Sequence, residues 1–103
     1  MITAIVQFPL AQALNREQAQ AYFLEIAPMF HEVPGLVRKY FLLSEDGQTA
    51  GGVYLWQSRE DADRFYTEHF KLSIREKFDA DPAIAYFESP VVVESWRGET
   101  IAA

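Results

Sequence analysis

The sequence contains no cysteine, so it forms no disulfide, offers no thiolate metal ligand and has no cysteine nucleophile. This absence suits a reducing compartment, and we expect a cytoplasmic protein. No basic segment precedes the apolar first residues, so we expect no signal peptide. No apolar run approaches the roughly 20 residues that a membrane-spanning helix needs, and we expect no membrane partner.

Basic residues are also scarce: 9 Lys and Arg stand against 15 Asp and Glu, for a net charge of −6. Binding to phosphate backbones needs clustered cations, so we expect no nucleic-acid partner. The two histidines, His31 and His69, lack a metal-binding spacing, and we expect no metal. Phosphate-binding loops and dinucleotide fingerprints are absent as well. Half of the residues are hydrophobic, enough for the core of one domain over residues 1–103.

Hydrophobic patterns of strand and helix period alternate along the chain. Asn15 and Gln18 predict a capping box for a first helix that is bent near Pro28. Ser58 caps a second helix, which runs to about Phe78 whole or broken. The predicted strands are 2–8, 36–43, 49–57 and a C-terminal stretch, 84–96, divided by Pro90. The order β-α-β-β-α-β predicts a ferredoxin-like α+β fold, with two helices on one face of a four-stranded antiparallel sheet.

The predicted strands are apolar on both faces. In the second strand, Tyr40 and Leu42 alternate with Phe41 and Leu43. Two helices cover only one face of the sheet, and the uncovered face would exceed the few hundred Å² of apolar surface that monomers usually expose. We therefore predict a homodimer that packs sheet face to sheet face. A strand after Pro90 is placed to reach the edge of the partner's sheet.

The third predicted strand carries two adjacent glycines, Gly51-Gly52, which indicate a bulge or a close backbone approach. Together with Pro34-Gly35-Leu36 and the capped helix containing Ala62 and Tyr66, the segment Ala50–Trp56 resembles the YdhR-type monooxygenases. These proteins belong to the dimeric α+β barrel superfamily. The resemblance implies a homodimer with a pocket between each sheet and its helices. It also implies oxygenation of a small aromatic compound without metal, flavin or other cofactor.

His69 is the first candidate catalytic residue. Its spacing from Phe65 and Tyr66 predicts a place on the inward face of the second helix. An imidazole in an apolar pocket can take a proton from a phenol or hydroquinone, and the resulting anion reacts directly with oxygen. A histidine at the helix edge, bonded to backbone or water, fits the same spacing.

Arg38 is the second candidate catalytic residue. It shares a strand face with Tyr40, and its predicted hairpin partner carries Tyr54 and Trp56. A guanidinium there would hold a carboxylate or an oxyanion against aromatic walls. A solvent-facing arginine or a salt bridge across the dimer is the alternative.

Aromatic side chains supply the predicted pocket. The expected lining residues are Tyr40, Tyr54, Trp56, Phe65, Tyr66 and Trp96, although aromatics in strands also serve as plain core. The favoured function is a cofactor-independent monooxygenase of a small aromatic or quinol-type compound. Two alternatives stay open on the same scaffold: an acid–base isomerase that uses His69, and a non-enzymatic binding or stress protein that holds a small apolar ligand such as haem.

Overall fold

The computed structural model describes residues 1–102, and its elements follow the predicted order. The strands are β1 (Ile2–Pro9), β2 (Leu36–Leu43), β3 (Thr49–Trp56), β4 (Ala83–Glu88), β5 (Val91–Glu94) and β6 (Glu99–Ala102). The helices are α1 (Arg16–Ile26), α2 (Arg59–Phe65) and α3 (Glu68–Phe78), with 3₁₀ turns at Ala27–Phe30 and Ser95–Arg97. Strands β1 to β4 form an antiparallel sheet in the order β2-β3-β1-β4. This confirms the predicted ferredoxin-like fold.

Helix α1 begins at the predicted capping box. The backbone N–H of Gln18 donates to the Asn15 side chain at 2.8 Å, and the N–H of Asn15 donates to the Gln18 side chain at 2.9 Å. The predicted bend at Pro28 is instead a change of helix type. The α-helix ends at Ile26 and continues as the 3₁₀ turn that contains Pro28, because proline has no N–H for the α-helical ladder.

The second helical segment is broken at Tyr66. Helix α2 ends at Phe65, and Tyr66 leaves the helical conformation with a ψ of 64°. The Thr67 hydroxyl then caps α3 by accepting from the N–H of Phe70 at 3.3 Å. The break resets the helical register, so the residues of α3 that face the sheet do not continue the pattern of α2.

Helices α1, α2 and α3 pack on one face of the sheet around an aromatic core. Trp56 is fully buried, and its indole N–H donates to the hydroxyl of Tyr66 at 3.1 Å. Phe8 of β1 meets Phe78 of α3 with ring centroids 4.6 Å apart. The opposite sheet face, called the open face below, carries the side chains of Ile5, Tyr40, Val53, Leu55 and Phe87.

Gly51 and Gly52 are each required for a different steric reason. A Cβ on Gly51 would collide with the carbonyl oxygen of Val6 on the neighbouring strand, so this glycine marks a close backbone approach. A Cβ on Gly52 would lie 3.1 Å from Cε of Lys39, so this glycine leaves room for the lysine side chain. The irregularity in strand pairing lies elsewhere, in β2 between Leu36 and Arg38.

Candidate active site

An apolar cavity of about 100 Å³ lies between the sheet and helices α1 to α3. Strands β1, β2 and β3 form its floor, and the helices close it from above. Half of its lining residues are aromatic: Phe8, Tyr22, Phe23, Phe30, Phe41, Tyr54, Phe65, Phe70 and Phe78. Within residues 1–102, no carboxylate lines this cavity. Such a site favours a flat, apolar guest.

The side chain of Lys39 enters the cavity from β2. Its Nζ lies 3.3 Å from the ring centroid of Phe30, 4.0 Å from that of Phe41 and 4.5 Å from that of Tyr54. The ring faces attract the ammonium form, whereas loss of water favours the neutral amine. Burial lowers the pKa of Lys39 to about 7. The amine can therefore give or take a proton near neutral pH.

Lys39 is not among the site residues predicted from the sequence, although its position in the strand carries a signal. Strand side chains alternate between faces, so Lys39 shares the inward face of β2 with Phe41 and Leu43. A lysine at an inward position of a buried strand is unusual, because burying an unpaired charge is costly.

Five of the six predicted pocket residues separate into three groups. Tyr54 and Phe65 line the cavity, and burial raises the pKa of Tyr54, so its phenol stays protonated. Trp56 and Tyr66 lie in the core beside the cavity, bonded to each other. Trp96 lies in the turn between β5 and β6 and is 89% exposed, so it does not line the cavity.

The predicted inward position of His69 is wrong. Its side chain is exposed on α3, and it does not line the cavity. The prediction counted from Phe65, which ends the preceding helix, and from Tyr66, which follows it. Because the chain breaks at Tyr66, the inward positions of α3 are instead Phe70 and Ile74. A catalytic role for His69 stays a prediction without a place in this cavity.

Arg38 shares a strand face with Tyr40, as predicted, but this is the open face, so Tyr40 does not line the cavity between sheet and helices. Its guanidinium pairs with the buried carboxylate of Glu94 on β5 and donates to the Tyr40 hydroxyl at 3.4 Å. The expected neighbourhood of Tyr54 and Trp56 is wrong, because both point to the helix-covered face. Arg38 and Tyr40 line a separate cleft of about 310 Å³ beside β5. Glu94 already occupies the guanidinium that was expected to hold an anion.

A groove of about 1090 Å³ runs outside the cavity, along α1 and the turn between β2 and β3. Phe23 and Phe41 line both the groove and the cavity, and their rings stack with centroids 4.9 Å apart. This ring pair therefore separates the Lys39 amine from the groove.

Two further features of the described chain bear on function. Among residues 1–102, no group of three His, Asp or Glu side chains is placed to hold a metal ion. None of the helices in this part of the chain is long and apolar enough to cross a membrane.

The fold and the cavity define a ferredoxin-like α+β protein with an amine-bearing aromatic site between its sheet and its helices. Residues 4–82 match the family described as "Putative mono-oxygenase ydhR", and the chain belongs to that family. No curated protein matches the chain with a significant score.

Solved structures of similar fold come from bacterial monooxygenases. The ActVA-Orf6 monooxygenase of Streptomyces coelicolor, determined in complex with nanaomycin D, is 17% identical, covers 89% of each chain and has a TM-score of 0.64. SnoaB, a cofactor-independent oxygenase from Streptomyces nogalater, is 16% identical over 91% of this chain and 97% of its own, with a TM-score of 0.63. An antibiotic biosynthesis monooxygenase described from Deinococcus radiodurans is 10% identical over the same shares, with a TM-score of 0.64. At these identities the likeness shows the fold.

Proposed function

We propose that the protein is a cofactor-independent monooxygenase that oxidises a small phenol or hydroquinone in the cavity between sheet and helices. The observation that carries this proposal is the Lys39 amine among the rings of Phe30, Phe41 and Tyr54. Membership of the ydhR family supports the reaction class. The fold shared with SnoaB, described as a cofactor-independent oxygenase, is consistent with it.

The proposed reaction begins with proton transfer from the phenol to the neutral amine of Lys39. The phenolate is electron-rich, and a ring carbon forms a bond to molecular oxygen. The Lys39 ammonium returns the proton to give a hydroperoxide, which then loses water and leaves a quinone. One oxygen atom enters the substrate and the other leaves in water, so the substrate supplies all the electrons.

The aromatic walls would position the substrate and exclude water. Ring stacking fixes a flat guest, and a site without water keeps the phenolate reactive. The cavity is smaller than the roughly 300–1,000 Å³ of typical ligand pockets. Rotation of Phe23 or Phe41 would enlarge the cavity toward the outer groove, where any further rings of the substrate would lie.

Oxygen uptake tests this function. Purified, chelator-treated protein is given a panel of quinols and polyphenols in an oxygen-electrode cell. We expect uptake above the uncatalysed background, with one oxygen molecule consumed per substrate. Equal substrate conversion without oxygen would instead indicate the acid–base isomerase, which could use the same amine. Absence of turnover together with a Soret band on adding haemin would indicate the binding protein.

We also propose that a second copy of the chain covers the open face. Tyr40 and Phe87 on this face are 54% and 53% exposed. Strands β5 and β6 pair with each other and extend the molecule, whose radius of gyration is 14.3 Å against about 13 Å for a compact chain of this length. A projecting hairpin beside an apolar sheet face suits a partner with the same two features.

Light scattering at micromolar concentration tests the dimer, with an expected mass of twice 11.8 kDa. The variant Phe87→Lys places a charge on the open face and should shift the protein toward monomer. Leu72→Lys is the matched control, because Leu72 is 54% exposed on α3, on the other side of the molecule. A monomeric wild type, or equal effects of both variants, would contradict the proposed interface.

A further inference from the structure

We propose that Lys39 also forms a covalent imine with small carbonyl compounds, so that the cavity is a site of reversible modification. The amine lies at the end of a half-buried side chain that lines the cavity. Its neighbours are ring faces rather than carboxylates. This reaction needs neither oxygen nor a phenol and stands apart from the proposed oxygenation.

The amine has the properties of a nucleophile. Burial lowers the pKa of Lys39 to about 7, so about half of the molecules carry the neutral amine at pH 7. An ordinary lysine, with a pKa of about 10.4, is almost wholly protonated at that pH. Lysines in hydrophobic pockets are activated toward carbonyl groups in this way. The other titratable side chains that line the cavity are Tyr22, Tyr54 and Lys77.

The cavity limits the class of carbonyl compound. Its volume of about 100 Å³ equals the share of about three water molecules, which suits an aldehyde of two or three carbons. Gly52 contributes to this room, because a Cβ there would lie 3.1 Å from Cε of Lys39. Larger carbonyl compounds would need the Phe23–Phe41 ring pair to open.

The bond changes balance without an oxidant or a reductant. The nitrogen lone pair of Lys39 adds to the carbonyl carbon, and a C–N bond forms. The nitrogen then loses two protons, the carbonyl oxygen leaves with two protons as water, and a C=N bond remains. The apolar walls slow the return of water, which would hydrolyse the imine.

Reductive trapping with propanal tests the inference on the folded wild-type protein. The protein is incubated with propanal at pH 7, reduced with borohydride, digested and analysed by mass spectrometry. The chain has three lysines, Lys39, Lys71 and Lys77, so the modified position is read directly. We expect the Lys39 peptide to gain one propyl group with at least about tenfold preference over the Lys71 peptide. The preference should vanish when the protein is unfolded in urea before propanal is added.

Equal labelling of the three lysines in the folded protein, or an unlabelled Lys39, would overturn the inference. The assay contains no phenol and runs equally well without oxygen. Failure of the oxygen-uptake experiment therefore leaves this result unaffected, and the reverse holds too.

Discussion

Replacing Lys39 by methionine should lower oxygenation turnover by about 10²- to 10⁴-fold, the usual contribution of a positioned acid–base group. Methionine is unbranched and adaptable, so it should fill the space of the lysine stem among Phe30, Phe41 and Tyr54. The variant should therefore fold and still bind the substrate. Steady-state kinetics in air-saturated buffer measure the effect, and we expect kcat to fall while KM changes little.

The pH profile of turnover is a second test of the role of Lys39. The neutral amine is the active form, so wild-type turnover should rise through about pH 7, the pKa of Lys39.

The stability of the protein should also depend on the titration of Lys39. The unfolded chain holds this proton up to the ordinary pKa of 10.5, so the free energy of unfolding should rise with pH between about 7 and 10.5. Both pH dependences should be absent in Lys39→Met.

Lys71→Met is the matched control, because it makes the same chemical change on an exposed part of α3. Its turnover should equal that of the wild type.

The variant His69→Ala decides between the two candidate bases, His69 and Lys39. A large loss of turnover in His69→Ala, with normal activity in Lys39→Met, would assign the proton transfer to the exposed histidine and contradict the role of the cavity amine.

Local sequence signals were sufficient to predict the order of the helices and strands. The capping box of Asn15 and Gln18 depends on residues three apart, and the structure has both of its hydrogen bonds. The inward position of His69 could not be derived in this way. It depends on whether the helix continues through Tyr66. At that point the Tyr66 hydroxyl accepts a hydrogen bond from the indole of Trp56, and the Thr67 hydroxyl caps a new helix.

The site itself was only partly accessible from sequence. Strand alternation places Lys39 on the face of Phe41, but the cavity exists only where α1 and α3 meet the sheet. The environment of Arg38 depends on Glu94, which reaches it from a distant hairpin. Long-range contacts of this kind leave no periodic trace in the chain.

Replacing Gly51 by alanine should destabilise the protein by about 3 kcal/mol or more, the upper range for inserting an atom into a packed core. A Cβ at this position would meet the carbonyl oxygen of Val6, and backbone on an adjacent paired strand cannot move aside as a side chain can. Urea unfolding followed by circular dichroism measures the loss as a lower midpoint with an unchanged m-value.

Gly52→Ala is the comparison that separates the two glycines. Its Cβ would meet Cε of Lys39, the carbonyl oxygen of Tyr40 and the ring of Tyr54, each at 3.1 Å, and small shifts can relieve such contacts. We expect a loss of about 1 kcal/mol and a change in the pH dependence of turnover, because the lysine stem must shift. If Gly51→Ala were as stable as the wild type, the close approach to β1 would not be the reason for that glycine. If Gly52→Ala left the pH profile unchanged, the space beside Lys39 would not control the amine.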